Sequence, residues 1–307
     1  MAAVLPAAGA TAASSPSQPV APMRVKHGFI DADGVRVFYR EAGGASAPVL
    51  LLLQGFANSS FYFRHLMPRL ADRYRVIAPD LPSFGFTEVP AERRYRYDFH
   101  GLTQTIRAFV DALGLKRFAM YVFDYGAPVG FNLALAAPER VVGFVSQNGN
   151  AYVEGLGEAA WRPVRAFWHH QTAELRETIK RRFTFAGVRD AYFHGVPDPS
   201  EIEPEAYWLD AAILARPGND EIQLGFKRDY RSNIERYPLY QAYFRERAPR
   251  LLAIWGRNDP FFIPAGAEAY RRDLPHAEVR LLDTGHFALE THLDAIAAGI
   301  LGFDFGF

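Results

Sequence analysis

The chain has 307 residues, 49% of them hydrophobic, with 34 basic and 34 acidic side chains and no cysteine. The missing cysteine excludes disulfides, thiolate zinc sites and cysteine nucleophiles. Balanced charge without a basic stripe argues against nucleic-acid partners, and the absence of any run of ~18 apolar residues argues against a membrane span. A globular chain with a large core, in a cytoplasmic setting, is expected.

Residues 1–22 are almost entirely Ala, Pro, Ser, Gly, Val and Thr. They lack the basic n-region of a secretory signal and the arginines of a transit peptide, so a disordered tail is expected, with Met23 a candidate start. Apolar runs then place strands at Val35–Tyr39, Val49–Leu53, Arg75–Pro79, Phe118–Phe123, Val141–Gln147, Leu251–Trp255 and Val279–Leu282. Helical spacing predicts helices near Phe61–Leu70, Leu102–Leu113, Pro128–Ala137, Ala265–Arg272 and Ala288–Leu301. This alternation predicts an α/β fold, a mostly parallel, doubly wound sheet with helices on both faces. From Asn150 to Ala248 the rhythm breaks into a stretch rich in Trp, Tyr, Phe, Arg and Glu, with loop signals at 195–199 and 216–220. It reads as a helical cap over residues 150–248, dividing a core of 23–149 and 249–307.

The segment Phe118–Gly130 carries the main chemical signal. An apolar strand ends on Asp124, and Tyr125-Gly126-Ala127 follows. A sharp strand-to-helix turn with a reactive apex needs small neighbours, because the backbone doubles back there. An Asp at the apex is an anion without a partner base, unlike Ser. Two later strands also end on polar groups, at Gly256-Arg257-Asn258-Asp259 and at Thr284-Gly285-His286-Phe287. Ligands of open α/β sheets bind outside the carboxyl ends of strands, so Asp124, Asp259 and His286 are expected to converge. The loop Gln54-Gly55-Phe56-Ala57 follows the strand Val49–Leu53. In this arrangement the N–H groups of Phe56 and Tyr125 would form an oxyanion hole.

These motifs, together with Pro79-Asp80-Leu81-Pro82-Ser83-Phe84-Gly85-Phe86, resemble the α/β-hydrolase superfamily, in the branch of epoxide hydrolases and haloalkane dehalogenases. The resemblance runs from about Gly28 to the C-terminus. It implies an α/β-hydrolase fold with the cap inserted after the sixth strand, Asp124 as nucleophile, His286 as base and Asp259 as the acid behind it. Asn148 stands where some dehalogenases carry that acid. Attack by Asp124 on a saturated carbon would give an ester, which water activated by His286 can hydrolyse. The leaving group is assigned to the cap: Tyr230, in Asp229-Tyr230-Arg231-Ser232-Asn233, resembles a ring-opening tyrosine, and Trp168 beside His169 resembles a halide-side residue. The epoxide hydrolase reading therefore ranks ahead of the dehalogenase one.

Asp124 as a mere helix N-cap is the plain alternative. Asp80 reads as loop support, and His65, His169, His170, His194 and His292 as structural, with His169 a possible pocket residue. Phe167, Trp168, Tyr207, Trp208, Tyr237, Tyr240 and Tyr243 suggest an apolar pocket for a small organic substrate. His286 and His292 are not at a helical ligand spacing, so no metal is expected, and no Gly-rich phosphate loop suggests a nucleotide cofactor. An ester or lactone hydrolase and a non-catalytic binding protein of the same fold remain as alternatives, and the oligomeric state is open.

Overall fold

The computed structural model describes residues 24–307, so the expected tail 1–22 and the candidate start Met23 lie outside the described residues. The chain opens with a hairpin of β1 (Lys26–Ala32) and β2 (Val35–Ala42). Its turn residues Asp33 and Gly34 both have positive φ, 55° and 68°, as a two-residue hairpin turn requires. β1 is absent from the sequence expectation because it is an edge strand whose Lys26, His27 and Asp31 face outward, leaving no apolar run.

There follow β3 (Val49–Leu53), α1 (Leu66–Leu70), β4 (Arg75–Pro79), α2 (Phe99–Ala112), β5 (Phe118–Phe123), α3 (Gly126–Ala136) and β6 (Val141–Gln147). Between β6 and the next strand run α4 (Glu158–His169), α5 (Ala173–Lys180), α6 (Phe185–Phe193), α7 (Pro204–Leu214) and α8 (Asn219–Arg247). The chain then returns with β7 (Arg250–Gly256), α9 (Pro264–Asp273), β8 (Glu278–Leu282) and α10 (Leu293–Gly302). Glycines with positive φ, Gly195 at 75° and Gly218 at 79°, mark the two loops whose composition announced them.

The eight strands form one sheet in the order β1-β2-β4-β3-β5-β6-β7-β8. β1, β2 and β4 pair antiparallel, and β3 to β8 pair in parallel. Every residue of β5 is buried, which is why Phe118–Phe123 reads as a continuous apolar run: helices cover both faces of a parallel strand. Two expected helices are shorter than predicted. Pro68 has no N–H to return to the carbonyl of Arg64, and the segment 60–70 divides into a 3-10 turn at Ser60–Phe63 and α1. Near the C-terminus, Thr291 Oγ1 bonds to Thr284 Oγ1 and His292 Nδ1, and a 3-10 turn at Ala288–Glu290 precedes α10.

α8 is fastened to the helices that cover the sheet. Asp229 accepts the Phe99 N–H at the start of α2 (2.9 Å), and Asn132 of α3 accepts from Arg236 (2.7 Å) and Tyr240 (3.0 Å). Among the described residues, no helix is long and apolar enough to cross a membrane.

Candidate active site

Asp124 sits at the turn between β5 and α3 with φ at 47°, a left-handed conformation that costs a non-glycine residue about 1–3 kcal/mol. The turn closes because its neighbours lack side chains. A Cβ on Gly126 would lie 2.2 Å from the Leu53 carbonyl oxygen, and one on Gly55 would lie 2.3 Å from Asp124 Cβ. The Asp124 side chain does not cap α3. Its Oδ1 accepts two backbone N–H groups instead, from Phe56 and from Tyr125, each at 2.7 Å.

Phe56 reaches this position from the loop after β3. Gln54 anchors that loop: with its amide turned to match its partners, it donates to the Pro79 carbonyl (2.8 Å) and accepts from Leu81 N–H (2.7 Å). Asp80 secures the neighbouring loop, accepting Ser60 N–H at 2.6 Å and Phe86 N–H at 2.7 Å, as loop support requires. The Phe56–Ala57 peptide is cis.

The three polar groups expected to converge do so. His286 Nε2 faces Asp124 Oδ2 at 3.7 Å, too long for a hydrogen bond, so the ring is aimed at the carboxylate without being tied to it. Its Nδ1 lies 2.6 Å from Asp259 Oδ2. That oxygen also accepts Asn148 Nδ2–H at 2.6 Å, and the other oxygen accepts Phe261 N–H at 2.7 Å. Phe123, Phe261 and Phe287 pack around the imidazole, with centroids 4.7–5.3 Å away.

Asp124, Asp259 and His286 are all buried. Burial raises the Asp124 carboxyl above its ordinary value, opposed by His286, Lys227 and the two N–H donors. Burial lowers the His286 imidazole, but the charge and hydrogen bond of Asp259 together with the charge of Asp124 outweigh it, and the net direction is upward. A carboxylate held by two N–H groups beside a carboxylate-backed imidazole has the parts of a nucleophile, an oxyanion hole and a base.

A cavity of about 670 Å³ opens onto this cluster. Its walls include Trp161 and Val164 of α4, Val188 of α6, Phe261, Phe262 and Phe287. The aromatic residues singled out in the cap sequence do not line it, nor does His169, whereas His194 does.

The structure also places the two leaving-group candidates outside this cavity. Tyr230 is fully buried behind the wall, packed on Trp161 (4.5 Å between centroids), Phe99 (5.4 Å) and Tyr125 (5.9 Å), and its hydroxyl faces that of Tyr237 at 3.5 Å. Trp168 donates its indole N–H to the Lys227 carbonyl at 2.8 Å. Both side chains were spent on packing and on anchoring α8, because the turns that carry them face the helix layer rather than the opening.

Lys227 and Arg182 occupy the cavity wall instead. The Lys227 ammonium lies over the rings of Phe56 (4.2 Å to the centroid) and Tyr125 (4.8 Å). Sequence gives little warning of this, since Lys227-Arg228-Asp229 reads as a solvated helix face. The available signal is that Lys227 precedes Tyr230 by one turn and shares its side of α8.

Comparisons with known proteins agree with this architecture. Residues 48–293 match a family model described as the alpha/beta hydrolase fold. The chain is 47% identical over 272 residues to an uncharacterized hydrolase of Saccharomyces cerevisiae, covering 88% of this chain and 93% of that one. It is 35% identical over 170 residues to epoxide hydrolase A of Mycobacterium tuberculosis, covering 55% of this chain and 51% of the relative. Among solved structures, a haloalkane dehalogenase loop variant from Bradyrhizobium elkanii superposes with a TM-score of 0.75 at 23% identity, covering 91% and 96% of the two chains.

Proposed function

The chain belongs to the α/β-hydrolase fold family, and from that membership we propose that it hydrolyses a small apolar substrate through an ester formed on Asp124. The observation that carries this reading is the division of labour on the Asp124 carboxylate. Oδ1 is held by the Phe56 and Tyr125 N–H groups, while Oδ2 faces His286. The substrate class is an epoxide or a haloalkane, in keeping with the names of two of the similar proteins.

In the first step a carboxylate oxygen of Asp124 attacks the saturated carbon, forming a C–O bond as the bond to the leaving group breaks. In the second, water attacks the Asp124 carbonyl carbon and gives a proton to His286, whose charge Asp259 stabilises. The oxygen that becomes negative belongs to Asp124 itself, between the Phe56 and Tyr125 donors, each such donor being worth ~3 kcal/mol in comparable sites. A serine in this position would form an ether at a saturated carbon and stop there. The cavity has room for a small organic molecule beside a largely apolar wall.

Single turnover in heavy-oxygen water, followed by mass spectrometry of the peptide containing Asp124, tests the route. Incorporation of label into Asp124 is the expected result. Label found only in the product, with Asp124 unlabelled, would point to direct attack of water and overturn it.

A further inference from the structure

The cap has a cation where the site lacks a group for the departing atom. Lys227 lines the same cavity as Asp124, over the rings of the two residues whose N–H groups hold the carboxylate. Among the described residues its ammonium makes no hydrogen bond or ion pair, and it lies at the cavity wall against the two aromatic rings. Its backbone is fixed: Trp168 holds the Lys227 carbonyl, and Tyr230 is packed one turn further along. The charged and titratable groups around it are Asp124 and His286 from the sheet side, Arg182 from the segment between α5 and α6, and the Tyr125 phenol.

We propose that Lys227 is the leaving-group acid of this site, donating an Nζ–H to the atom that departs from the carbon attacked by Asp124. The proposal rests on the Asp124 ester mechanism. For an epoxide, the electron pair of the breaking C–O bond goes to the ring oxygen, and that oxygen takes the Lys227 proton, leaving a neutral amine and a hydroxyl. For a halide, the hydrogen bond supports the departing anion and no proton moves. On the epoxide route hydrolysis of the ester consumes one water, and the proton it leaves at the Asp124 carboxyl restores the ammonium; on the halide route that proton is released to solvent with the halide.

The energetics favour Lys227 over the nearby phenols. Burial lowers its pKa to about 8, with Arg182 acting in the same direction and Asp124 against it, whereas burial pushes Tyr125 and Tyr230 well above 10. The opposition from Asp124 vanishes when its carboxylate becomes an ester, so Lys227 becomes more acidic as the alkoxide develops. Two aromatic faces hold the ammonium in place meanwhile.

The test measures alkylation alone, in the His286→Gln enzyme, which forms the ester and cannot hydrolyse it. With styrene oxide and 1-bromobutane as probes, mass spectrometry follows the adduct on Asp124. Adding Lys227→Met should slow adduct formation from the reacting probe about 100-fold. Lys227→Arg should retain more of the rate, and with styrene oxide should remove the decline that the Lys-containing enzyme shows above about pH 8. Lys227→Gln serves as a second neutral variant, with thermal melts establishing that each is folded. Alkylation by both neutral variants within about threefold of the parent rate would overturn the assignment. No adduct from either probe in the Lys-containing parent would overturn the Asp124 mechanism itself, and this proposal with it.

Discussion

Asn148 donates a hydrogen bond of 2.6 Å to Asp259 Oδ2, the oxygen that also faces His286 Nδ1. Asn148 further accepts Gly256 N–H at 2.9 Å, tying the end of β6 to the end of β7. The amide thus fixes the carboxylate that fixes the imidazole. Asn148→Ala should slow hydrolysis of the Asp124 ester about tenfold while leaving its formation nearly unchanged. Pre-steady-state kinetics, with separate amplitudes for ester formation and decay, check the split; equal loss in both steps would mean a general structural defect.

The hydrolytic step should depend on pH through His286. The ring must be neutral to accept a proton from water, and in the free enzyme Asp259 and the ionised Asp124 both raise its pKa against burial. The ester removes the Asp124 charge, so ester decay should rise with pH through a midpoint lower than that of His286 in the free enzyme. Stopped-flow decay across pH 5–9, set against an NMR titration of the free-enzyme imidazole, measures the difference, and a midpoint above the free-enzyme value contradicts the site's electrostatics.

Tyr230→Phe tests whether the cap tyrosine takes part in chemistry. Its hydroxyl faces Tyr237 behind the cavity wall, so removing it should change kcat/KM by less than about threefold. A loss of about 100-fold, the scale of general-acid removal, would return the leaving-group role to Tyr230.

Much of this site was legible in the sequence because its parts sit where apolar strands stop. Asp124 and Asp259 follow buried parallel strands, visible as unbroken apolar runs, while His286 follows the partly exposed edge strand β8, marked by Val279, Leu281 and Leu282. Phe56 and Tyr125 contribute backbone N–H groups, so their place in the chain was sufficient. The cap was harder to read. An amphipathic helix pattern shows that one face is buried, but not whether it meets a neighbouring helix or a cavity. Tyr230 and Trp168 therefore looked like site residues and lie outside the cavity, while Lys227, which no motif singled out, lines it. The edge strand β1 escaped notice for a related reason, its outward polar residues interrupting any apolar run.

The turn at Asp124 should tolerate no side chain on Gly126. Gly126→Ala would bring a methyl against the Leu53 carbonyl and should cost about 1–3 kcal/mol, with loss of activity in whatever fraction stays folded. Urea unfolding and residual turnover check both parts.

Asp210 offers a separate test away from the chemistry. Burial raises its pKa to about 8, although Asn58 and Tyr192 each donate to its Oδ2 at 2.7 Å. A carboxyl with a raised folded-state pKa contributes stability that is present below its ordinary value of 3.8 and fades as pH rises towards 8. Asp210→Asn should flatten that loss, narrowing the difference in Tm between pH 5 and pH 8. Thermal melts at the two values decide it, and an unchanged difference would show that Asp210 does not titrate in this range.

The fastening of α8 to the helices that cover the sheet bears on how a substrate gets in and out. Phe99, Asn132 and their partners hold α8 at several points, and Lys227 rides on that helix. α8 is thus a fixed jamb rather than a door. The opposite side of the cavity is built from residues 178–194, where Arg181, Thr184, Ala186, Asp190 and His194 stand exposed at its edge. Changes of side-chain size along that rim should therefore set the speed of entry and product release while the geometry at Asp124 stays as it is.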